Sequence, residues 1–113
     1  MFYEETPNNS VNLTPVARTT EQQVIVDKET SQMALYHYDA CFFSSRVRNV
    51  IEILNLTIEM RDILINPKYG QNLLENGGSM TVPCLYDGNP PPSVSKWMYE
   101  SADIMQYLKE RFL

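Results

Sequence analysis

The two cysteines of this chain, Cys41 and Cys84, are the side chains best suited to covalent chemistry. Cys41 follows a short apolar and aromatic run and precedes a helical pattern, so we expect it at a helix N-terminus. The unpaired amides and the positive dipole end of a helix favour a thiolate, which attacks disulfides near neutral pH. Position alone leaves a second interpretation open, in which Cys41 is a small buried residue at a helix start.

Other reactive centres are not indicated. Two cysteines are too few for the disulfide framework of a small secreted domain, and no Cys/His cluster with zinc-like spacing surrounds the single histidine, His37. We therefore expect no metal. His37 lies among apolar residues with no evident carboxylate partner, and we interpret it as structural.

The elements that must position Cys41 follow from the hydrophobic periodicity. The predicted order is a strand at 33–38, a helix after Cys41, a strand at 56–61, a shorter helix from 67, strands at 80–86 and 96–99, and a helix capped by Ser101. Asn66 and Pro67 begin the second helix and 76–78 end it. This βαβαββα order is an α/β, thioredoxin-like arrangement of three helices on a four-stranded mixed sheet.

The predicted domain comprises residues 33–113, and residues 1–32 form a polar N-terminal extension that we expect to be largely irregular. Within the domain, Pro83 is anomalous, because proline removes a ladder donor from a strand that is otherwise read as central.

Three short motifs in the predicted domain resemble those of one protein family. Ala40-Cys41-Phe42-Phe43-Ser44 matches the position of the C-x-x-C or C-x-x-S active site of glutaredoxins, directly after the first strand. Thr81-Val82-Pro83 resembles the T-V-P element of that family, and Glu100-Ser101 resembles the acidic-Ser pair of glutathione S-transferases. Residues 33–113 thus resemble the glutaredoxin-type domain that also forms the N-terminal half of glutathione S-transferases.

The resemblance implies glutathione as the cosubstrate, with Cys41 as the catalytic thiol. It implies that Pro83 is cis and that Val82 pairs through its backbone with the cysteinyl part of glutathione, while Glu100 and Ser101 hold the γ-glutamyl end. Plain helix capping by Glu100-Ser101 remains an alternative.

Two further residues have open assignments. Cys84 is either a resolving thiol or, as strand alternation favours, a core residue. Lys68 either reaches the glycyl carboxylate of glutathione or is solvated.

Three residues differ from those usual in the family, and two of these differences exclude reactions that some members carry out. Ser44 replaces the second cysteine, so a disulfide within the motif is excluded and a monothiol route through glutathione is expected. Phe42 replaces the usual proline and also the glycine of cluster-binding C-G-F-S proteins, so an iron-sulfur cluster is not expected. Tyr38 replaces a common Lys or Arg, although at the end of the first strand it could line the site.

The composition of the chain argues against some classes of binding partner. The net charge of −5 argues against nucleic acid as a binding partner. The absence of a long apolar stretch or a secretion signal predicts a soluble, cytoplasmic protein with no membrane segment.

The expected function is glutathione-dependent thiol-disulfide exchange on glutathionylated or disulfide-bonded substrates. The alternative is a non-catalytic glutathione- or protein-binding module. A full glutathione S-transferase is less expected, because it needs a helical second domain. The sequence leaves the oligomeric state open.

Overall fold

The computed structural model describes residues 15–113. Within this range the elements are α1 (Thr20–Thr30), β1 (Met33–His37), α2 (Phe42–Ile53), β2 (Glu59–Asp62), α3 (Pro67–Asn72), β3 (Cys84–Asp87), β4 (Trp97–Met98) and α4 (Ser101–Phe112). A π-helical segment, Leu73–Gly77, continues α3. From β1 onward this is the predicted order.

The four strands form one mixed sheet in the order β2-β1-β3-β4. β1 and β2 are parallel, with α2 as the crossover between them, whereas β3 is antiparallel to both β1 and β4. In the β1–β3 ladder Tyr36 lies opposite Cys84, and Leu35 lies opposite Leu85. The predicted thioredoxin-like fold is confirmed.

The sheet buries a different cluster on each face, because side chains alternate along a strand. One face carries Leu35 and Leu85 and packs against α2 and α4, which contribute buried residues such as Val47 and Ile104. The opposite face carries Tyr36 and Cys84, which pack with Leu73, Val82, Trp97 and Tyr99. The first face is the main core, and it anchors α2, the helix that begins after Cys41.

Two strand boundaries differ from the prediction. The alternating residues Leu56 and Ile58 are buried as expected, but they precede β2, which starts at Glu59. Likewise, β3 starts at Cys84, so Pro83 lies just before the strand and removes no ladder donor. The anomalous proline therefore sits outside the sheet.

The caps of the short second helix agree with the sequence. Asn66 is the N-cap of α3, and its side chain accepts a hydrogen bond from the Lys68 amide at 3.1 Å. Gly78 ends the π-helical segment with a φ of 97°, a left-handed conformation that glycine adopts without steric cost.

The N-terminal extension is more regular than predicted. Residues 20–30 form α1, which begins with a capping box between Thr19 and Gln22. Arg18 fastens the segment to the domain, because it donates hydrogen bonds to the carbonyls of Leu54 at 2.8 Å and Phe112 at 2.6 Å. These carbonyls lie at the ends of α2 and α4. The part of the extension before residue 15 lies outside the described residues.

The described part of the chain has neither a membrane-spanning helix nor a cluster of metal-ligating side chains. None of its helices has the length and apolar character to cross a membrane. Within the same residues, no three His, Cys, Asp or Glu side chains lie together as metal ligands would.

Candidate functional site

Cys41 lies at the junction that the sequence predicts, as the N-cap residue of α2. Its sulfur accepts a hydrogen bond from the Ser44 amide at 3.5 Å, and its own amide donates to the Tyr38 carbonyl at 3.1 Å. The residue is only 9% exposed. The thiol therefore sits in the cap of a helix, where the first-turn amides face it.

The surroundings of Cys41 favour its thiolate. Burial alone raises the pKa of the thiol, but the side chain and amide of Ser44, the amide of Phe43 and the side chain of Tyr38 lower it as donors near the sulfur. These donors outweigh burial, so the pKa of Cys41 lies below that of an ordinary thiol. A thiolate in this position is a competent nucleophile.

Ser44 is fully buried one turn into α2. Its hydroxyl makes no hydrogen bond of ordinary geometry among residues 15–113. A buried hydroxyl without a partner is costly, and a thiolate at Cys41 is an acceptor that it lacks.

The other two motif residues face outward. Phe42 is 67% exposed and Phe43 is 54% exposed, with the two rings in edge contact at a centroid distance of 5.5 Å. They form an exposed aromatic pair beside a nearly buried thiol. Such a pair suits contact with a partner molecule rather than core packing.

Residues 81–83 lie beside the segment that leads to Cys41. Because Tyr36 is paired with Cys84 in an antiparallel register, the chain before Cys84 runs alongside the chain after Tyr36. The Val82–Pro83 peptide bond is cis. Among the described residues, neither the amide nor the carbonyl of Val82 has a backbone hydrogen-bond partner, so both are free to pair with a ligand.

Glu100 and Ser101 lie across a small cleft from this segment. The cleft has a volume of about 240 Å³ and is lined by Phe43, Thr81, Val82, Pro83, Tyr99, Glu100 and Ser101. Residues of three sequence motifs therefore meet in this cleft, although the Cys41 motif reaches it through Phe43 and Cys41 itself is not one of its lining residues.

The cap of α4 differs from the prediction. The N-cap residue is Glu100, not Ser101, which is the first helical residue. The exposed side chain of Glu100 makes no capping hydrogen bond. Simple capping therefore does not explain the Glu100 carboxylate, which remains available at the cleft.

Cys84 points away from Cys41. It lies on the sheet face of Tyr36, whereas α2, whose N-cap is Cys41, packs on the opposite face. Cys84 is completely buried, and burial raises its pKa to about 12. It is a core residue, as strand alternation favours, and it cannot serve as a resolving thiol in this arrangement.

One contact beside the site was not predicted from the sequence. His37 ends β1, and Arg48 donates a hydrogen bond to its Nδ1 atom at 3.0 Å. Carboxylates are also near, since Asp62 is the strand partner of His37 and Asp39 follows closely. The expectation that His37 has no carboxylate nearby was wrong, because the β1–β2 register that brings Asp62 to it was not predicted.

The pKa of His37 is below its ordinary value, because burial and the Arg48 charge outweigh the opposing effects of Asp62 and Asp39. The imidazole is therefore neutral at physiological pH. Its Nδ1 accepts from Arg48, which leaves its proton on Nε2.

The family of this fold is found by comparison with known proteins. A family model described as glutathione S-transferase, N-terminal domain, matches residues 35–113. That range contains all the motif residues of the cleft and excludes α1. A search of the curated proteins finds no match.

Solved structures show the same relationship. An epsilon-class glutathione S-transferase from the housefly, Musca domestica, is 25% identical with a TM-score of 0.54, and the match covers 71% of this chain and 35% of that one. A glutathione transferase homologue from Drosophila mojavensis, solved with bound glutathione, is 25% identical with a TM-score of 0.55, covering 72% and 35%.

A more distant match shows the fold alone. Maleylacetoacetate isomerase from Anaeromyxobacter dehalogenans 2CP-1 is 23% identical with a TM-score of 0.50, covering 72% of this chain and 36% of that one. The chain thus corresponds to about a third of the length of the solved proteins that it matches.

Proposed function

This chain belongs to the glutathione S-transferase N-terminal domain family, and we propose that it binds glutathione in the cleft between Val82 and Ser101 and exchanges disulfides with it through Cys41. The observation that carries the proposal is the meeting of three motifs in one cleft at the N-terminus of α4. One similar structure contains bound glutathione, which supports the same ligand here.

The γ-glutamyl and cysteinyl parts of glutathione each have complementary groups in the cleft. The amides at the start of α4 suit the γ-glutamyl carboxylate, because a helix N-terminus attracts anions. The free carboxylate of Glu100 suits the γ-glutamyl ammonium group. The unpaired amide and carbonyl of Val82 suit the backbone of the cysteinyl residue, as in the addition of a strand to an edge.

Cys41 supports a monothiol reaction in two steps. Its thiolate attacks the glutathione sulfur of a mixed disulfide, so a Cys41–glutathione disulfide forms and the substrate leaves as a thiolate that takes up a proton. The thiolate of a second glutathione then attacks the glutathione sulfur on Cys41. Glutathione disulfide is released, and the Cys41 thiolate is regenerated. With Ser44 in the motif and Cys84 on the far face, the chain offers no second thiol to shorten this route.

A non-catalytic glutathione- or protein-binding module is the second candidate. The exposed Phe42–Phe43 pair favours it, because two aromatic rings beside the cleft provide a contact surface for a protein partner. Phe42 also takes the place of the proline usual after the reactive cysteine. This candidate keeps glutathione binding and omits turnover.

Two measurements separate these candidates. Glutathione-dependent reduction of the mixed disulfide between glutathione and 2-mercaptoethanol is expected in the wild type and in Cys84→Ala, and it is expected to disappear in Cys41→Ser. Calorimetric titration with glutathione reports binding independently of turnover. Binding without reduction would favour the module, whereas full reduction by Cys41→Ser would contradict the proposed role of Cys41.

A further inference from the structure

The guanidinium of Arg48 holds the segment that connects β1 to Cys41. Arg48 lies on α2, two turns after Cys41, and its side chain extends back toward the N-terminus of the helix. It contacts three consecutive residues, with Nη1 at 3.0 Å from His37 Nδ1 and 3.4 Å from the Tyr38 carbonyl, and Nη2 at 3.0 Å from the Asp39 carbonyl. The planar fork of arginine suits this set of acceptors.

The Tyr38 carbonyl connects this contact directly to Cys41. That oxygen accepts the Cys41 amide at 3.1 Å as well as Arg48. The next helical bond, from the Ser45 amide to the Cys41 carbonyl at 2.9 Å, starts α2. Cys41 is therefore fixed on one side by the helix and on the other by a turn whose acceptors Arg48 holds.

We propose that Arg48 is a positioning residue that keeps the Cys41 sulfur in the N-cap geometry of α2. This inference rests on the proposed function of Cys41. Of the groups that face the sulfur, Ser44 and Phe43 belong to the first turn of α2, and Tyr38 belongs to the segment that Arg48 holds. A small displacement of that segment relative to the first turn therefore changes the contacts of the sulfur on both sides. Hydrogen bonds weaken steeply with distance and misalignment.

Position, rather than charge, is the means by which Arg48 acts. Its donors are used by acceptors on residues 37–39, not by the sulfur. Arg46 carries the same charge on the same helix but is exposed to solvent. A pair of substitutions can therefore separate the two effects.

The test measures the pKa of Cys41 from the pH dependence of its alkylation by iodoacetamide, with mass spectrometry to confirm the modified residue. We expect Arg48→Met and Arg48→Lys both to raise this pKa by roughly one unit, which lowers the thiolate fraction at neutral pH about tenfold. Arg46→Met is the matched control and should leave it unchanged. Lysine keeps the charge and the aliphatic stem, so it is the variant that best preserves folding, but it lacks the fork.

Three results would overturn the proposal. An unchanged pKa in Arg48→Lys together with a raised one in Arg48→Met would assign the effect to charge. An equal rise of the Cys41 pKa in Arg46→Met would also assign the effect to charge. An unchanged pKa in both Arg48 variants, with only a lower melting temperature, would leave Arg48 a structural role alone. Alkylation requires no glutathione, so the result is independent of whether Cys41 turns over.

Discussion

The Ser44 amide donates to the Cys41 sulfur across 3.5 Å, while the hydroxyl of the same serine is buried and has no hydrogen-bond partner in the part of the chain that the structure describes. One residue thus contributes a hydrogen bond to the thiol and keeps a second donor in the buried interior beside it. The arrangement is unfavourable for the thiol form and favourable for the thiolate. It explains how a nearly buried cysteine retains a lowered pKa.

Removal of the Ser44 hydroxyl should separate reactivity from stability. In Ser44→Ala the pKa of Cys41 is expected to rise, because the largest favourable contribution to the thiolate is lost. The free energy of unfolding should stay within about 1 kcal/mol of wild type, since the lost hydroxyl had no partner. Alkylation rates against pH and urea unfolding measure the two quantities. A large loss of stability with unchanged reactivity would show that the hydroxyl serves the fold instead.

Glu100→Gln tests the cleft without disturbing its helix. The Glu100 side chain makes no capping bond, so the melting temperature should change little, while the affinity for glutathione should fall several-fold through loss of the charged contact to the ammonium group. Calorimetric titration measures the affinity. Asp103→Asn is the matched control, because Asp103 is an exposed acid in the first turn of the same helix. Equal losses of affinity in both variants would show that the net negative charge near α4, and not a specific contact of Glu100, sets the affinity for glutathione.

Cys84 is expected to be inert in the folded protein. Its thiol is buried with a pKa of about 12, so iodoacetamide should modify Cys41 and leave Cys84 unmodified until the chain is unfolded. Cys84→Ala should keep the reactivity of Cys41 and lower the free energy of unfolding by roughly 1 kcal/mol, the cost of a small cavity. Peptide mapping after alkylation checks the first expectation. Loss of Cys41 reactivity in Cys84→Ala would instead show that Cys84 takes part in the reaction of Cys41.

His37 should make stability depend on pH. Its pKa is lowered in the folded state, so the folded protein binds fewer protons than the unfolded chain as the pH falls through about 6.5. Stability is therefore complete above this value and declines toward the folded pKa. His37→Asn keeps an acceptor for Arg48 but cannot titrate, and it removes the only histidine. Melting temperatures between about pH 7.5 and about pH 5.5 should fall less in this variant than in wild type; equal slopes would contradict the assignment.

The fold and the position of Cys41 could be predicted from local patterns alone. The run at 33–38 marked β1, the helical spacing after Cys41 marked α2, and Asn66 and Gly78 are at the ends predicted for the next helical segment. These features depend on neighbouring residues and on backbone preferences. Local sequence carries that information directly.

The features that escaped prediction depend on distant contacts. α1 shows no apolar face, since Val24 and Ile25 are exposed, and Arg18 fastens its start to α2 and α4 far along the chain. β2 begins late because Leu56 and Ile58 are buried without belonging to the sheet. The Arg48–His37 contact joins a helix to a strand end, and its geometry follows only from the turn between them.

Disulfide exchange between Cys41 and glutathione can be observed by intact-protein mass spectrometry. After brief treatment with glutathione disulfide, we expect one glutathione on the wild-type chain, located at Cys41 by peptide mapping and removed by added glutathione. Cys41→Ser should gain none. A wild-type chain that gains no glutathione, or that gains it at Cys84, would rule out Cys41 as the thiol that exchanges disulfides with glutathione.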